Sequence, residues 1–203
     1  PWQVYGGVGV NDLSGHGDHL GIRAGKSVEG NKMIFFEGQY EVPVGSQGDV
    51  VSFLAQHNDG HADTYSFLNA NSSGDTFAVR ITRPWIRQRD ETLKTSAAFT
   101  YYNGTSEYLD DKKLPPSSED RIRAVRLGAS YDWFDAYGGK NLVKAEISKG
   151  LAIMGASNES RPNPSRAGGQ TDFSKLQMDA QRLQDLSKLM DGLNLSLAAT
   201  AQT

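Results

Sequence analysis

Cysteine is missing from the 203-residue chain, which removes disulfides, thiolate catalysis and zinc–thiolate sites together. The absence suits an oxidising compartment without identifying one. Long apolar runs are missing too: nothing approaches the eighteen or so residues of a membrane-spanning helix. Charge of one sign is not in excess. The formal net charge of -3 and a pI near 5.8 exclude the basic footprint that duplex nucleic acid demands. There is no initiator methionine or signal peptide, and the chain opens at Pro1-Trp2 as a trimmed or partial sequence would.

What is present is an alternation of period two. In "MIFFEGQYEVPV" (33–44), Ile34, Phe36, Tyr40, Val42 and Val44 share one parity, and Glu37, Gln39 and Glu41 hold the other. Side chains on a strand point alternately to opposite faces, so this segment is apolar on one side and acidic on the other. The pattern recurs in segments of about ten residues divided by turn signals. Leu20, Ile22 and Ala24 begin the series, followed by Val51, Phe53 and Ala55, then Phe77, Val79 and Ile81. Leu93, Ala97, Phe99 and Tyr101 continue it, then Val125, Leu127, Ala129, Tyr131 and Trp133. Val143, Ala145 and Ile147 precede a last set of Leu195, Leu197, Ala199 and Ala201. No segment is apolar on both faces, so a parallel sheet buried under helices is excluded and an antiparallel meander is expected. With 22 glycines, 37% hydrophobic residues and a mean hydropathy of -0.52, the composition suits a turn-rich β protein. It equally suits a transmembrane barrel, where only every second residue needs to be apolar.

The connections alternate in length. "GSQG", "RQRD", "DAYGG" and "SKLMDG" are tight turns, whereas 59–75, 103–120 and 154–172 read as long polar loops. Short turns on one rim and long loops on the other are how transmembrane barrels are built. Trp85 and Trp133 stand before short turns, Tyr137 lies within one, and Tyr101 and Tyr102 precede a long loop. Two aromatic belts would look like this, as would cross-strand packing in a soluble sheet. One segment is ambiguous. "DFSKLQMDAQRLQDLSKLM" fits a helix through Leu176, Ala180, Leu183 and Met190, capped by Asp172, and also a strand through Leu176, Met178 and Ala180; periodicity favours the helix.

Candidate chemistry is thin. His57 and His61 are four apart and His16 and His19 three apart, but "HNDGH" carries Asp-Gly after a strand and no HExxH motif is present, so no metal site is expected. "GGVGV" at 6–10 lacks the following helix a phosphate-binding loop needs. Asp110-Asp111 and Glu119-Asp120 lie in a loop and read as solvated, no serine sits in a nucleophile-elbow context, and no catalytic residue or cofactor is assigned. The polar parity remains: Arg23, Glu37, Glu41, Arg80, Lys94, Arg126, Asp132, Lys144 and Glu146. In a soluble sandwich these face solvent. In a membrane barrel they face a wet lumen, because a basic side chain at the lipid midplane costs about 2–4 kcal/mol. Their mixed signs suit an extended polypeptide better than one small ion.

The order of several phrases carries a resemblance. "VRITRPWIRQRDETLKTSAAFTYYN" (79–103) precedes "DRIRAVRLGASYDWFDAYGGKNLVKAEISKGLAIMGAS" (120–157), then "SRAGGQTDFSKLQMD" (165–179). Over nearly the whole chain this succession resembles the barrel of haemolysin-activator proteins, outer-membrane transporters of two-partner secretion. The resemblance implies an all-β fold: a partial antiparallel transmembrane β-barrel, about ten consecutive strands of a sixteen-stranded one. It implies that 174–185 is a strand. It implies a bacterial outer-membrane location and export of a large haemolysin- or adhesin-type partner, captured unfolded by periplasmic POTRA domains and passed through the lumen without ATP. Neither POTRA domains nor the family's Val-Arg-Gly-Tyr loop lies in this sequence.

The expectation is therefore a barrel segment over 1–203 whose nine polar-parity residues form the lumen wall. Its partners would be an unfolded secreted protein and outer-membrane lipid, with no nucleic acid, the unit being a monomer and not an enzyme. A complete, closed ten-stranded barrel is the other reading of the strand count. A passive porin-like channel is the alternative function, and a soluble β-sandwich or ligand-binding barrel a third.

Overall fold

The alternating segments fold into strands that hydrogen-bond only to their neighbours in the chain. The computed structural model describes residues 2–28, 33–62, 70–107, 118–157, 164–165, 169–187 and 190–203. The strands are β1 (Gln3–Asn11), β2 (His19–Ser27), β3 (Met33–Val44), β4 (Asp49–Ala62) and β5 (Ala70–Arg87), then β6 (Glu91–Glu107), β7 (Ser118–Phe134), β8 (Gly139–Gly150), β9 (Ser174–Asp185) and β10 (Asn194–Gln202). They form one ten-stranded sheet in the order β1 to β10, every neighbouring pair being antiparallel. Among the described residues there is no helix.

Register carries the apolar parity unbroken from strand to strand. Leu20 stands opposite Tyr40, Tyr40 opposite Phe53, Phe53 opposite Val79, Val79 opposite Phe99 and Phe99 opposite Val125. No second layer covers this face. Phe36 is 48% exposed, Val79 45% and Leu195 43%, and the only fully buried apolar residues among those described are Ala98, Ala124 and Ala156. A soluble sandwich must bury one face of each sheet against another layer, so the sandwich reading is overturned. Leaving such side chains in water would forgo about 1.5–3 kcal/mol for each Val, Leu, Ile or Phe.

The apolar face has ends. On β5, Phe77, Val79 and Ile81 lie between Asp75 and Arg83 on one parity. Eight steps at about 3.3 Å span roughly 26 Å of strand, or about 20 Å along the normal of a barrel whose strands tilt 35–45°. At the short-turn end Arg83 Nε donates to Asp49 Oδ1 at 2.8 Å, and Trp85 Nε1 donates to Thr95 Oγ1 at 2.8 Å. Tyr131 and Trp133 stack there with centroids 4.6 Å apart. At the other end His57 Nδ1 lies 2.7 Å from Asp75 Oδ1. A polar, aromatic boundary below and a polar one above bracket a band of membrane dimensions.

Four sequence readings are corrected. Residues 174–185 form strand β9, not the helix that periodicity favoured. β9 pairs with β8 on one side and β10 on the other, so two ladders override a helical stripe of four residues, and Met190 lies in the following turn. The long loops are also shorter than read: β4 and β5 pair from Ala62 and Ala70, and β6 and β7 from Ser106 and Ser118. Backbone pairing needs no apolar side chain, so the ladders continue into polar sequence above the band. Tyr102 faces the polar side opposite Thr76 and Ile122, and therefore does not belong to the upper aromatic belt. Finally, β1 and β10 do not pair with each other, so the ten strands do not close on themselves.

Candidate functional site

The second face of the sheet brings together all nine residues of the polar parity. Glu41 stands opposite Ser52, which faces Arg80; the row continues through Ala98, Arg126 and Ser148 to Lys175. A second row runs from Lys94 through Ser130 and Lys144 to Asp179 and Thr200. Between them lie Ser96, Gly128, Glu146 and Gln177, while Asp132 sits one polar-face position nearer the short turns. Arg23 faces Glu37 across β2 and β3. The long side chains shield the small ones: Ala98 is 6% exposed, Ala124 0% and Ser148 5%.

The charges are partly tied down. Arg23 Nε donates to Glu37 Oε1 at 2.9 Å, and Arg126 Nε lies 3.6 Å from Glu146 Oε1 while its Nη1 bonds Thr100 Oγ1. Glu146 also accepts from Ser148 Oγ at 3.2 Å. Arg80 Nη1 donates to Ser96 Oγ at 3.2 Å, and Gln39 Nε2 donates to Glu41 Oε1 at 2.9 Å. Lys94 and Asp132 have no ion-pair or hydrogen-bond partner among the described residues. Hydroxyls, amides and ion pairs thus dominate this face, interrupted by Leu54 opposite Ala78 and Ile122 opposite Tyr102, and can exchange hydrogen bonds with a peptide backbone.

Sequence reasoning missed part of this polar face. Lys175, Gln177 and Asp179 join it through β9, and their strict alternation with Leu176, Met178 and Ala180 was the available signal. The histidines do not converge: His19 Nδ1 meets Asn11 Oδ1, His16 Nδ1 the Ser14 carbonyl, His57 Asp75 and Asp59, and His61 Nδ1 the Asn71 Oδ1.

The turn between β7 and β8 is built around Asp135. Its carboxylate accepts from Asn141 Nδ2 at 2.9 Å, from the Gly139 and Tyr137 amides at 3.0 Å, and from Arg182 Nη1 at 2.5 Å. The Asn141 amide first, then the Gly139 N–H and the Arg182 guanidinium, hold this carboxyl well below the usual carboxylate range.

Comparison with known proteins bears on the same geometry. Residues 1–203 match the family model described as Haemolysin secretion/activation protein ShlB/FhaC/HecB. No curated protein matched by sequence. Among solved structures the fold is similar to CdiB from Escherichia coli, with a TM-score of 0.76 and 17% identity over 98% of this chain and 37% of that chain. It is also similar to CdiB from Acinetobacter baumannii, with a TM-score of 0.65 and 13% identity over 98% and 35%. The chain thus spans little more than a third of the length of these structures. One two-faced antiparallel sheet of membrane height, matched along its whole length, identifies the chain as a member of the haemolysin secretion/activation family of outer-membrane two-partner secretion transporters.

Proposed function

We propose that the ten strands form part of the wall of an outer-membrane barrel through which a large haemolysin- or adhesin-type polypeptide leaves the cell unfolded. The observation that carries this reading is the register itself. Nine charged side chains from six strands share one face, while the face behind them exposes Phe36, Val79 and Leu195. In this reading Arg23, Glu37, Glu41, Arg80, Lys94, Arg126, Asp132, Lys144 and Glu146 line the lumen, and lipid covers the other face. The free edges of β1 and β10 support placing the sheet within a larger closed cylinder, because hydrocarbon does not tolerate unpaired edges. The remaining strands of a sixteen-stranded barrel and the POTRA domains belong, in this proposal, to the protein outside 1–203. The barrel works as a monomer and contributes no catalytic step: a predominantly polar wall lets an extended chain slide without stalling.

Because this segment has no cysteine, single-site cross-linking tests the reading directly. In the full-length transporter, Arg126→Cys should cross-link to a passenger stalled in transit, and Leu127→Cys should not. Equal cross-linking from both positions would sink the assignment of the two faces.

A further inference from the structure

The polar face is not electrically uniform. On β3 its acids are already engaged, Glu37 by Arg23 and Glu41 by Gln39. Across β5 to β9 it holds a depression of about 330 Å³ lined by Arg80, Lys94 and Lys144 together with the small Ser96, Gly128 and Ser130. Gly128 helps keep it open, since a methyl group there would lie 3.0 Å from Ser96 Oγ. Two acids also border the depression, and both are occupied. Glu146 faces Arg126, and Asp179 accepts from Thr200 Oγ1 at 2.7 Å and Gln177 Nε2 at 3.1 Å, with Lys144 opposite it in register. Asp132 lies outside, one polar-face position toward the turns. Arg80 and Lys94 are left without a carboxylate among the described residues.

We propose that this depression docks the carboxylates of acidic stretches in the exported polypeptide. The proposal rests on the conduit reading above and adds a place and a chemistry to it. A guanidinium and an ammonium lining one depression can share one carboxylate, with the Ser96 and Ser130 hydroxyls as further donors. Glu146 and Asp179, which border the depression, disfavour a dense polyanion such as nucleic acid, because they add like charge beside it. They also keep the hold weak, as transit requires: a site along a pore must bind favourably enough to be entered and weakly enough to be left.

The test uses the full-length transporter reconstituted in planar bilayers, with deca-glutamate and deca-lysine peptides as blockers at low salt. The glutamate peptide should block the wild type at lower concentration than the lysine peptide. Arg80→Gln with Lys94→Gln should raise its half-blocking concentration about three- to tenfold, and Arg80→Lys with Lys94→Arg should restore it. Arg89→Gln, in the exposed turn between β5 and β6, should leave it unchanged. Equal block by the two peptides, or a double variant blocked like the wild type, overturns the proposal. Secretion of the natural partner is read in parallel. A wild type that secretes but shows no preference for glutamate discards the docking site and keeps the conduit, whereas one that neither conducts nor secretes removes both.

Discussion

The guanidinium of Arg123 lies 3.4 Å from the ring centroid of Tyr101 on the neighbouring strand, and the arginine is 1% exposed. Both residues belong to the apolar parity, at the upper end of the band. Arg123 Nη1 donates to the carbonyls of Tyr102 at 2.7 Å and Ile122 at 3.0 Å, and Nη2 to Asn103 Oδ1 at 2.9 Å. Its Nε and Nη2 both reach the carbonyl of Met154 at 3.3 Å. Met154 has φ 50°, a conformation unfavourable for an unbranched side chain and here tied down by the arginine. The segment 151–157 completes the edge of β7 where β8 has ended: Leu151 N donates to the Arg123 carbonyl at 2.8 Å, and Ser157 N to the Arg121 carbonyl at 2.9 Å.

Arg123→Met should therefore free this strap. Leaving the Met154 carbonyl without its donor at this site costs about 1–3 kcal/mol. Limited proteolysis should show faster cleavage within 151–157 while the barrel remains inserted, and Met154→Gly alone should slow that cleavage by relieving the backbone. Unchanged cleavage in Arg123→Met would mean that the arginine does not hold the strap.

Gly150 is where β8 gives way to that strap, its N–H donating to the Phe173 carbonyl at 2.8 Å. A β-carbon at this position would overlap the Thr171 carbonyl oxygen and crowd the Phe173 ring at 2.7 Å. The first obstacle is backbone and cannot rotate away. Gly150→Ala should lower the temperature at which the barrel loses its compact gel mobility, whereas Gly38→Ala, with open space around the new methyl, should not. Equal shifts in both variants would refute the steric account.

The Asp135 turn should respond to acid late. Because the folded carboxyl titrates below its usual range, its contribution is fully present above the unfolded value near 3.9 and disappears only as pH falls through the lower, folded value. Between pH 7 and 5 the stability of wild type relative to Asp135→Asn should stay constant, and the difference should narrow below about pH 4. Denaturant titrations across that range measure it. A gap that closes already between pH 7 and 5 would contradict the assigned direction.

The two faces predict opposite tolerance of charge at the same height. Val79→Lys places an ammonium in the apolar band and should cost about 2–4 kcal/mol, reducing assembly into the outer membrane. Ala78→Lys, on the polar face beside Val79 and opposite Leu54 and Thr100, should leave assembly near wild type. Membrane fractionation with heat-modifiable mobility reads both, and similar losses in the two variants would count against lipid on the Val79 side.

The alternation of small steps along the chain determined a great deal by itself. Phe36 against Glu37, Val79 against Arg80 and Leu127 against Arg126 fix a two-sided antiparallel ribbon, and "GSQG", "RQRD" and "DAYGG" fix three of its tight turns. Which residues share a face follows from parity, so the sequence alone groups the nine polar residues. Tertiary structure decided the rest. Whether 174–185 is helix or strand depends on partners for its backbone, and β8 and β10 supply them. How far the ladders run into polar sequence, which acid each base meets, and why an arginine is buried beside Tyr101 depend on inter-strand register. Period-two patterning is a property of one strand, but register is a relation between two, and a single strand does not encode what stands opposite it.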